Sequence, residues 1–358
     1  MKSDSKVLIC YNAPLSIFPY YNGKASGVPA GNNLNDVIDL SESGFSREIG
    51  NIKKILSGYF LDVKIFTINS NIEQAINKIN SYSPDIIFNF VESIEGISNY
   101  EYCIAALFEL LGYQFTGSPP ICLGNCLDKG KTKKILQSHK VKTPEYIVAS
   151  CLEKFSIKNF PLSFPVILKL LTEDASIGIS EFSVVNNLKE LKTQVDFLFS
   201  NYHRDVIIEE YIDGRELNAA ILGGKILPIS EILFDGLPDN LPKIVTYDGK
   251  WMSETIYYEN TKPSCPANLD KVLKKSVEET AIAAFNAMGC RDYARVDIRL
   301  NRENVPYVIE VNPNPDISID SGFARAAAAA GLSYAQLLTV IADFALTRKK
   351  YDSQIKAS

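Results

Sequence analysis

Histidine is nearly missing. His139 and His203 are the only two in 358 residues. That scarcity removes histidine-rich metal sites and most Ser–His–Asp schemes, so any metal must be held by oxygen ligands, which points to magnesium or manganese. Cysteine is sparse in another sense. The seven, at Cys10, Cys103, Cys122, Cys126, Cys151, Cys265 and Cys290, are an odd number without a CxxC pair, and no disulfide framework is expected. Cys122 and Cys126 have a spacing that suits a metal, but no second pair follows and a zinc site is not expected. No apolar run approaches the roughly 20 residues that span a bilayer. The apolar part of the opening MKSDSKVLICYNAP is too short for a signal-peptide core, so the chain is read as cytoplasmic, without a membrane partner. Excess positive charge is lacking too. The 37 Lys and Arg against 42 Asp and Glu leave a net charge of −5, which gives no basic footprint for nucleic acid.

What remains is an ordinary globular composition, 46% hydrophobic and 22% charged, in a length that allows two or three domains. Short apolar runs alternate with amphipathic stretches in the first third. Lys6–Tyr11, Asp62–Ile68 and Asp85–Phe90 read as strands; Arg47–Phe60, Ile72–Tyr82 and Glu101–Leu111 read as helices. Strands separated by helices imply a parallel sheet with crossover helices, so the class is α/β, passing to α+β further on. Asn12–Gly44 is long for a loop, and loops of that length are usually functional or mobile.

A new unit starts after Thr116–Pro120. It carries a helix over Lys129–Ser138, strands near Tyr146–Val148, over Pro165–Leu170 and Glu181–Val185, a helix over Leu188–Phe199 and a strand over Val206–Tyr211. The last part opens with Glu216–Leu222, a Gly223-Gly224 hairpin turn and a strand over Lys225–Ile232. Asp235–Thr261 is read as irregular, Asp270–Met288 as a helix, Tyr293–Leu300 and Val305–Val311 as paired strands. Helices over Gly322–Ala330 and Tyr334–Leu346 close the chain.

The strongest chemical signal lies on that last hairpin. Side chains two apart on a strand share a face, so Arg295 goes with Asp297, and Glu310 with Asn312. The turn between the strands brings the four together. Two carboxylates and an amide oxygen make an oxygen shell for Mg2+, and Arg295 would stand where negative charge develops. A charged solvent face on an edge hairpin would read the same way, but apolar Val296, Ile298, Val308, Ile309 and Val311 alternate with the polar set.

Here the residues resemble a family. EVNPNPDIS, with ARVD upstream and FARAAAAAGLSYAQLL downstream, is similar to the C-terminal part of ATP-grasp proteins of the D-alanine–D-alanine ligase type. Leu127–Lys133 resembles that family's DK-x-x-x-K segment, Phe164–Gly178 its strand and phosphate-covering loop, and Ile208–Glu216 its nucleotide-binding linker. The resemblance spans roughly residues 100–345. It implies an ATP-grasp fold with an N-terminal α/β domain over 1–123, a lid subdomain over 124–210 and a catalytic subdomain over 211–358.

It also implies roles. Lys129 and Lys169 would contact nucleotide phosphates, with Ser176 and Gly178 in the covering loop. Glu209 would accept from the adenine amino group, Glu210, Tyr211 and Ile212 would line the adenine, and Glu216 would bind ribose. Asp297, Glu310 and Asn312 would hold Mg2+ or Mn2+; Arg295 and Lys250, with Ser176, would serve the reaction. The implied reaction activates a carboxylate as an acyl phosphate with MgATP and joins it to an amine, releasing ADP and phosphate. Its partners are small-molecule carboxylate and amine substrates, with a homodimer left open. A phosphotransferase of the same fold, or a nucleotide-binding module without turnover, stays open as an alternative.

The sequence also departs from the family. The family's Gly-Gly-x-Ser-x-Glu start and HGxxGEDG segment are replaced. The glutamate that orients the first amino acid maps to Ser46, its serine partner to Ala175 and its tyrosine partner to Trp251. Asp316 stands where the family has glycine, and Ser321 lies beyond it at the substrate end. The nucleotide half is kept and the amino-acid half rebuilt, so ligation of two D-alanines is not expected. Tyr247–Trp251 and Thr172–Ser180 are read as lids.

Overall fold

A computed structural model describes residues 2–12, 40–153 and 155–357, without the side chains of 40–47 and 350–357. Most of the Asn12–Gly44 segment and the Ser46 side chain therefore lie outside the described residues.

The chain opens with β1 (Ser3–Asn12), α1 (Leu40–Tyr59), β2 (Phe60–Ile68), α2 (Ile72–Tyr82) and β3 (Ile86–Phe90). The strands form the expected parallel sheet in the order β2-β1-β3. Strand β1 has no polar face because it is covered on both sides. Val7 and Ile9 pack with Ile52 and Leu56 of α1. Leu8 and Cys10 pack with Ile79 of α2 and with Phe108, which lies in α3 (Glu101–Leu110).

Next come α4 (Pro120–Leu127) and α5 (Lys129–Ser138). The first was not legible as a helix; it starts on Pro120, whose fixed φ suits a first helical position. Asp128 separates the two helices. Its backbone is extended, and its carboxylate caps α5 by accepting from the Lys131 N–H at 2.9 Å. That junction fixes Lys129 in the first turn of α5.

An antiparallel sheet of four strands follows, built from β4 (Tyr146–Ala149), β5 (Val166–Leu170), β6 (Val184–Val185) and β7 (Val206–Glu210) in the order β4-β7-β5-β6. Helix α6 (Leu188–Tyr202) packs on one face through Leu191, Val195 and Leu198. The strand expected over Glu181–Val185 is only β6. Glu181–Ser183 forms a 3-10 turn, because Ser180 and Ser183 cap it reciprocally.

The third sheet is larger. It contains β8 (Glu216–Leu222), β9 (Lys225–Ile226), β10 (Ser230–Leu233), β11 (Lys262–Ser264), β12 (Tyr293–Leu300) and β13 (Pro306–Asn312). The order is β11-β10-β8-β12-β13, with β9 beside β8. The single strand expected over Lys225–Ile232 is split around Pro228, which has no N–H for a ladder. Asp235–Thr261, expected to be irregular, holds α7 (Tyr247–Trp251) and α8 (Ile256–Asn260). Thr246 and Thr255 cap them, accepting from the Gly249 and Tyr258 N–H groups. Helix α9 (Lys271–Met288) covers one face of the sheet, and α10 (Gly322–Ala329) and α11 (Tyr334–Ala357) close the chain.

No single helix among the described residues is long and apolar enough to cross a membrane. The helices α10 and α11 pass that test only as a pair bent by 102°, and their Phe323, Leu337 and Ile341 are buried in the core.

That core joins the first and third sheets, since Val7 and Phe88 share it with Leu222, Tyr293 and Leu338. A polar tie reinforces it. Arg348 of α11 ion-pairs with Asp292 and donates to the Phe115 carbonyl at 2.6 Å. Asp292 also accepts from the Gly117 N–H at 2.9 Å. Burial pushes the Asp292 carboxyl up even though Arg348 opposes the shift, so the carboxylate depends on that partner. Arg348→Ala should cost about 3 kcal/mol, the usual result of stranding one member of a buried pair. Thermal unfolding should register this as a fall of several degrees in midpoint; an unchanged midpoint would refute the tie.

Candidate active site

The two antiparallel sheets flank a cleft of about 750 Å³. Its floor is a set of rungs across three strands. Arg295 of β12 pairs in register with Asn312 of β13, and Asp297 with Glu310, as the spacing implied. On the other side of β12, Asn218 of β8 opposes Asp297 and Glu216 opposes Arg299. A bulge in β13 reverses the alternation after Glu310. Val308 pairs with Ile298 and both enter the core, while Ile309 lines the cleft next to Glu310. The expectation that Ile309 is a core flank of the hairpin is corrected by that one extra residue.

Charges on this floor are paired closely. Arg295 grips Asp297 with two hydrogen bonds, 2.7 Å from Nε to Oδ1 and 2.9 Å from Nη2 to Oδ2. The Asn218 amide donates to the same Oδ1 at 2.7 Å. Lys129 is buried, 3.4 Å from Glu310 and 3.3 Å from Asp174. Burial alone would raise the Glu310 carboxyl. Lys129, Lys169, Lys250 and Arg295 outweigh it and hold the group down at about 2. Lys250 stands at the mouth of the cleft, and its ammonium is held below the ordinary lysine value by desolvation and then by Arg295. The Asn312 amide oxygen accepts from the Asn314 N–H at 3.1 Å, which leaves it a second lone pair.

A second charged cluster lies under the strand β7. Glu209 is buried between Lys169, at 3.0 Å, and Lys133, at 3.2 Å. Burial drives the Lys133 ammonium down to about 8 against the pull of Glu209. Glu210, Tyr211 and Ile212 continue along the wall, and Glu216 closes it. Burial raises the Glu216 carboxyl although Arg299 lies 3.8 Å away. Arg299 also covers the Tyr211 ring, 5.0 Å from its centroid.

The loop over Thr172–Ser180 arches above. Ala175 and Ser176 both have positive φ, 54° and 62°, which costs a non-glycine residue about 1–2 kcal/mol. Lys129 donates to the Glu173 carbonyl beneath the loop. The Trp251 indole N–H donates to the Ala175 carbonyl at 3.3 Å, and the Tyr247 N–H to the Ile179 carbonyl at 3.1 Å. The two segments read as lids are thus joined to each other. One residue is corrected. Gly178, expected to meet nucleotide, does not line the cleft; a Cβ there would meet Leu170 at 3.2 Å and Leu198 at 3.6 Å. Its positive φ lets the loop close onto the core of the small sheet.

At the far end, Asp316 and Ser321 line the cleft, and both have local duties. Asp316 accepts from the Ser318 N–H and hydroxyl, each at 2.8 Å. Ser321 caps α10 by accepting from the Ala324 N–H at 3.1 Å. Glu48 of α1 lines this end, so the first segment does bring a carboxylate here, two residues beyond Ser46. Glu101 is there too. Burial pushes its carboxyl up to about 8, although the Asn314 amide donates to it at 3.1 Å.

Sequence reasoning missed Lys133, Asn218, Arg299 and Glu48. Three had a signal. Lys133 is one helical turn after Lys129; Asn218 and Arg299 are two residues past Glu216 and Asp297, on the same strand faces.

With this geometry in view, comparison with known proteins is direct. Residues 135–343 match the family described as D-ala D-ala ligase C-terminus. The chain belongs to that family. A D-alanine–D-alanine ligase of Hydrogenovibrio crunogenus is 32% identical over 235 residues, 66% of this chain and 70% of its own. An uncharacterized protein of Sinorhizobium fredii, y4sG, is 32% identical over 263 residues, 74% of this chain and 75% of its own. The crystal structure of the Bacillus anthracis D-alanine–D-alanine ligase complexed with ATP superposes with a TM-score of 0.69 at 23% identity, over 97% of this chain and 99% of that one. At that identity the likeness establishes the fold, and it is the ATP-grasp fold expected from the sequence.

Asp297 and Glu310 oppose each other on one rung, so neutralising either should have the same consequence. Asp297→Asn and Glu310→Gln should each lower ATP-dependent turnover by at least about a hundredfold with the circular dichroism spectrum unchanged. Wild-type turnover in either variant would remove that carboxylate from the site.

Proposed function

We propose that this protein is an ATP-dependent, ADP-forming ligase that joins a carboxylate to an amine through an acyl phosphate, on a substrate pair other than two D-alanines. The observation that carries the reading is a single cleft in which Lys129 lies 3.4 Å from Glu310 and Lys169, Lys250 and Arg295 line the same walls. Four cations around one carboxylate suit a polyanion, and the adjacent Asp297 and Asn312 supply further oxygens.

The donor set fits the groups the reading requires. Asp297, Glu310 and Asn312 are oxygen ligands of the kind Mg2+ takes. Thr261 Oγ1 and Arg299 Nε are buried without a hydrogen-bond partner among the described residues, and both residues line the cleft, as polar groups awaiting a nucleoside would. When bound, the metal would neutralise phosphate charge. Lys129 and Lys169 would hold the triphosphate as point charges, Glu209 through Ile212 the adenine, and Glu216 the ribose. Arg295 would release at least one of its bonds to Asp297 to face the acyl phosphate. Lys250 stands opposite, able to neutralise the same charge, and the Ser176 loop would cover it.

The substrate proposal rests on what joins the lids. Trp251 reaches the backbone of Ala175 rather than a side chain, so the latch does not extend to the substrate ammonium. The substrate end carries more acids than bases, with Glu48, Glu92, Asp316 and Asp320 along it and Arg325 beside Asp320. We assign this end to a carboxylate donor larger than alanine, with a small amino acid as the amine.

Hydroxylamine tests the reaction. With ATP and a panel of carboxylates, the productive donor should yield a hydroxamate, as the amine nitrogen displaces phosphate from the activated acyl group. ADP release with neither free phosphate nor hydroxamate would indicate phosphoryl transfer to a stable acceptor instead. D-alanine alone should react far more slowly than the best donor found, and equal rates would overturn the substrate part of the proposal.

Trp251→Phe keeps an aromatic ring but removes the N–H donor and part of the indole's contact area; the hydrogen bond alone is worth about 1 kcal/mol, or roughly fivefold in an equilibrium. The lid should open more often and admit water to the acyl phosphate. The ratio of ADP released to amide formed should rise several-fold above wild type. An unchanged ratio would show that the contact is not a latch.

A further inference from the structure

Helix α4 has two faces that do different things. Leu123 and Leu127 line the nucleotide cleft. Cys122 and Cys126, one turn apart, face α9 and the third sheet. Cys290, 168 residues from Cys122 in sequence, arrives at the same point. It is held there by the end of α9, where Gly289 is left-handed and the Cys290 N–H bonds to the Phe285 carbonyl at 3.0 Å. The three sulfurs all lie within 4.8 Å of one another. Cys122 is 4.0 Å from Cys126 and 3.6 Å from Cys290. Two sulfurs on a tetrahedral zinc, with Zn–S near 2.3 Å, are about 3.8 Å apart.

Sulfurs in simple van der Waals contact have a similar spacing, so the shell around them decides. On one side it is the apolar core between α4, α9 and the third sheet; on the other, Ser118 and Arg291 bring polar groups to the sulfurs. The buried Ser118 hydroxyl reaches both Cys122 and Cys290 and accepts from the Arg291 N–H at 3.2 Å. The Arg291 Nη2 is buried without a hydrogen-bond partner among the described residues. Three thiols, one hydroxyl and a guanidinium with one free N–H edge make up an environment for a thiolate-bound divalent metal.

We propose that Cys122, Cys126 and Cys290 form a structural zinc site, with the Ser118 hydroxyl or a water as the fourth ligand. Binding is Zn2+ plus three thiols giving a zinc tris-thiolate of net charge −1 and three protons, and Arg291 balances the charge. Soft thiolates select zinc over the magnesium that suits an all-oxygen site. Cys290 is half-buried, which gives the ion a way in. The bound metal would tie α4, which leads to Lys129, to the turn that starts β12 and so to Arg295 and Asp297. The site is independent of the ligase reading, and neither stands or falls with the other.

The test uses the full chain, reduced and stripped of metal with a chelator. Titration against a chromophoric chelator should show one equivalent of Zn2+ bound, and Co2+ should give a near-ultraviolet thiolate charge-transfer band. An oxygen-only site such as Asp297 and Glu310 gives no such band, so binding there is not mistaken for it. Cys290→Ser should weaken zinc by at least about a hundredfold and lower the cobalt band by about a third, as one of three thiolates is lost. Cys103→Ser, at an exposed thiol, should change neither. In wild-type protein, zinc should shield Cys122, Cys126 and Cys290 from alkylation, read by mass spectrometry, so the proposal is tested even if Cys290→Ser fails to fold. No stoichiometric zinc in the reduced wild type, no thiolate band, or equal affinity in a folded Cys290→Ser would overturn it. Isolation of a Cys122–Cys290 disulfide whose reduced form ignores zinc would do the same.

Discussion

Lys129 determines how the rest of the cleft is arranged. It is buried between Asp174, on the loop above, and Glu310, on the floor below, and so ties two separate sheets through one ammonium group. Opposite charges near 4 Å gain about 4 kcal/mol gross in a protein-like medium, but desolvating each ion costs several kcal/mol. Such a contact does little for stability by itself. It sets a balance instead. Asp297 has Arg295, Glu209 has Lys133 and Lys169, and Glu310 has Lys129 together with the field of three other cations. A phosphate group entering this cleft would take over cations now paired with carboxylates, and the metal proposed at Asp297, Glu310 and Asn312 would balance the carboxylates so released.

The same lysine bears on the strained loop. Left-handed backbone at Ala175 and Ser176 must be stabilised by something else. The Lys129 bond to the Glu173 carbonyl and the Trp251 bond to the Ala175 carbonyl supply that from opposite sides. Both bonds end on backbone, so neither depends on the loop's side chains. This accounts for a loop that can carry alanine at 175 and still keep its shape. The capped helix α7 supplies the second anchor, and Thr246 fixes its first turn.

Much of this was legible beforehand because strand geometry is strict. A period of two, read from Arg295, Asp297, Glu310 and Asn312, gave the rungs of the floor in correct register. The parallel sheet was legible from strands alternating with helices. Where the period broke, so did the reading. The bulge at Ile309 changes a face without changing composition, and Pro228 splits a run that looks continuous. Helix α4 was missed because PICLGNCL is short and apolar nearly all round, which periodicity does not separate from a buried strand. Gly178 was matched to the right motif but turned out to serve the loop's packing. Glu48 and Cys290 carried no local signal at all, since each reaches its neighbours only through tertiary structure.

The cleft is also polarised along its length, and that bears on chemistry. Lys129, Lys169, Lys250 and Arg295 surround Glu310, while Glu48, Glu92, Asp316 and Asp320, with the single cation Arg325 beside Asp320, line the other part. In the proposed reaction a carboxylate anion has to approach a triphosphate that already repels it. Arg295 stands at the boundary between the two ends. It lies on the same strand face as Asp297, and the field of Asp316 reaches it from the acidic side. A substrate with its carboxylate toward Arg295 and a positive group toward the acidic wall would lie along this gradient in one orientation only. Glu101 adjusts that wall. Its carboxyl, pushed up to about 8, is mostly protonated near neutral pH and adds no full charge, so it can donate a hydrogen bond where its neighbours can only accept. Polarity of the cleft, more than any single contact, would then decide which end of a substrate is activated.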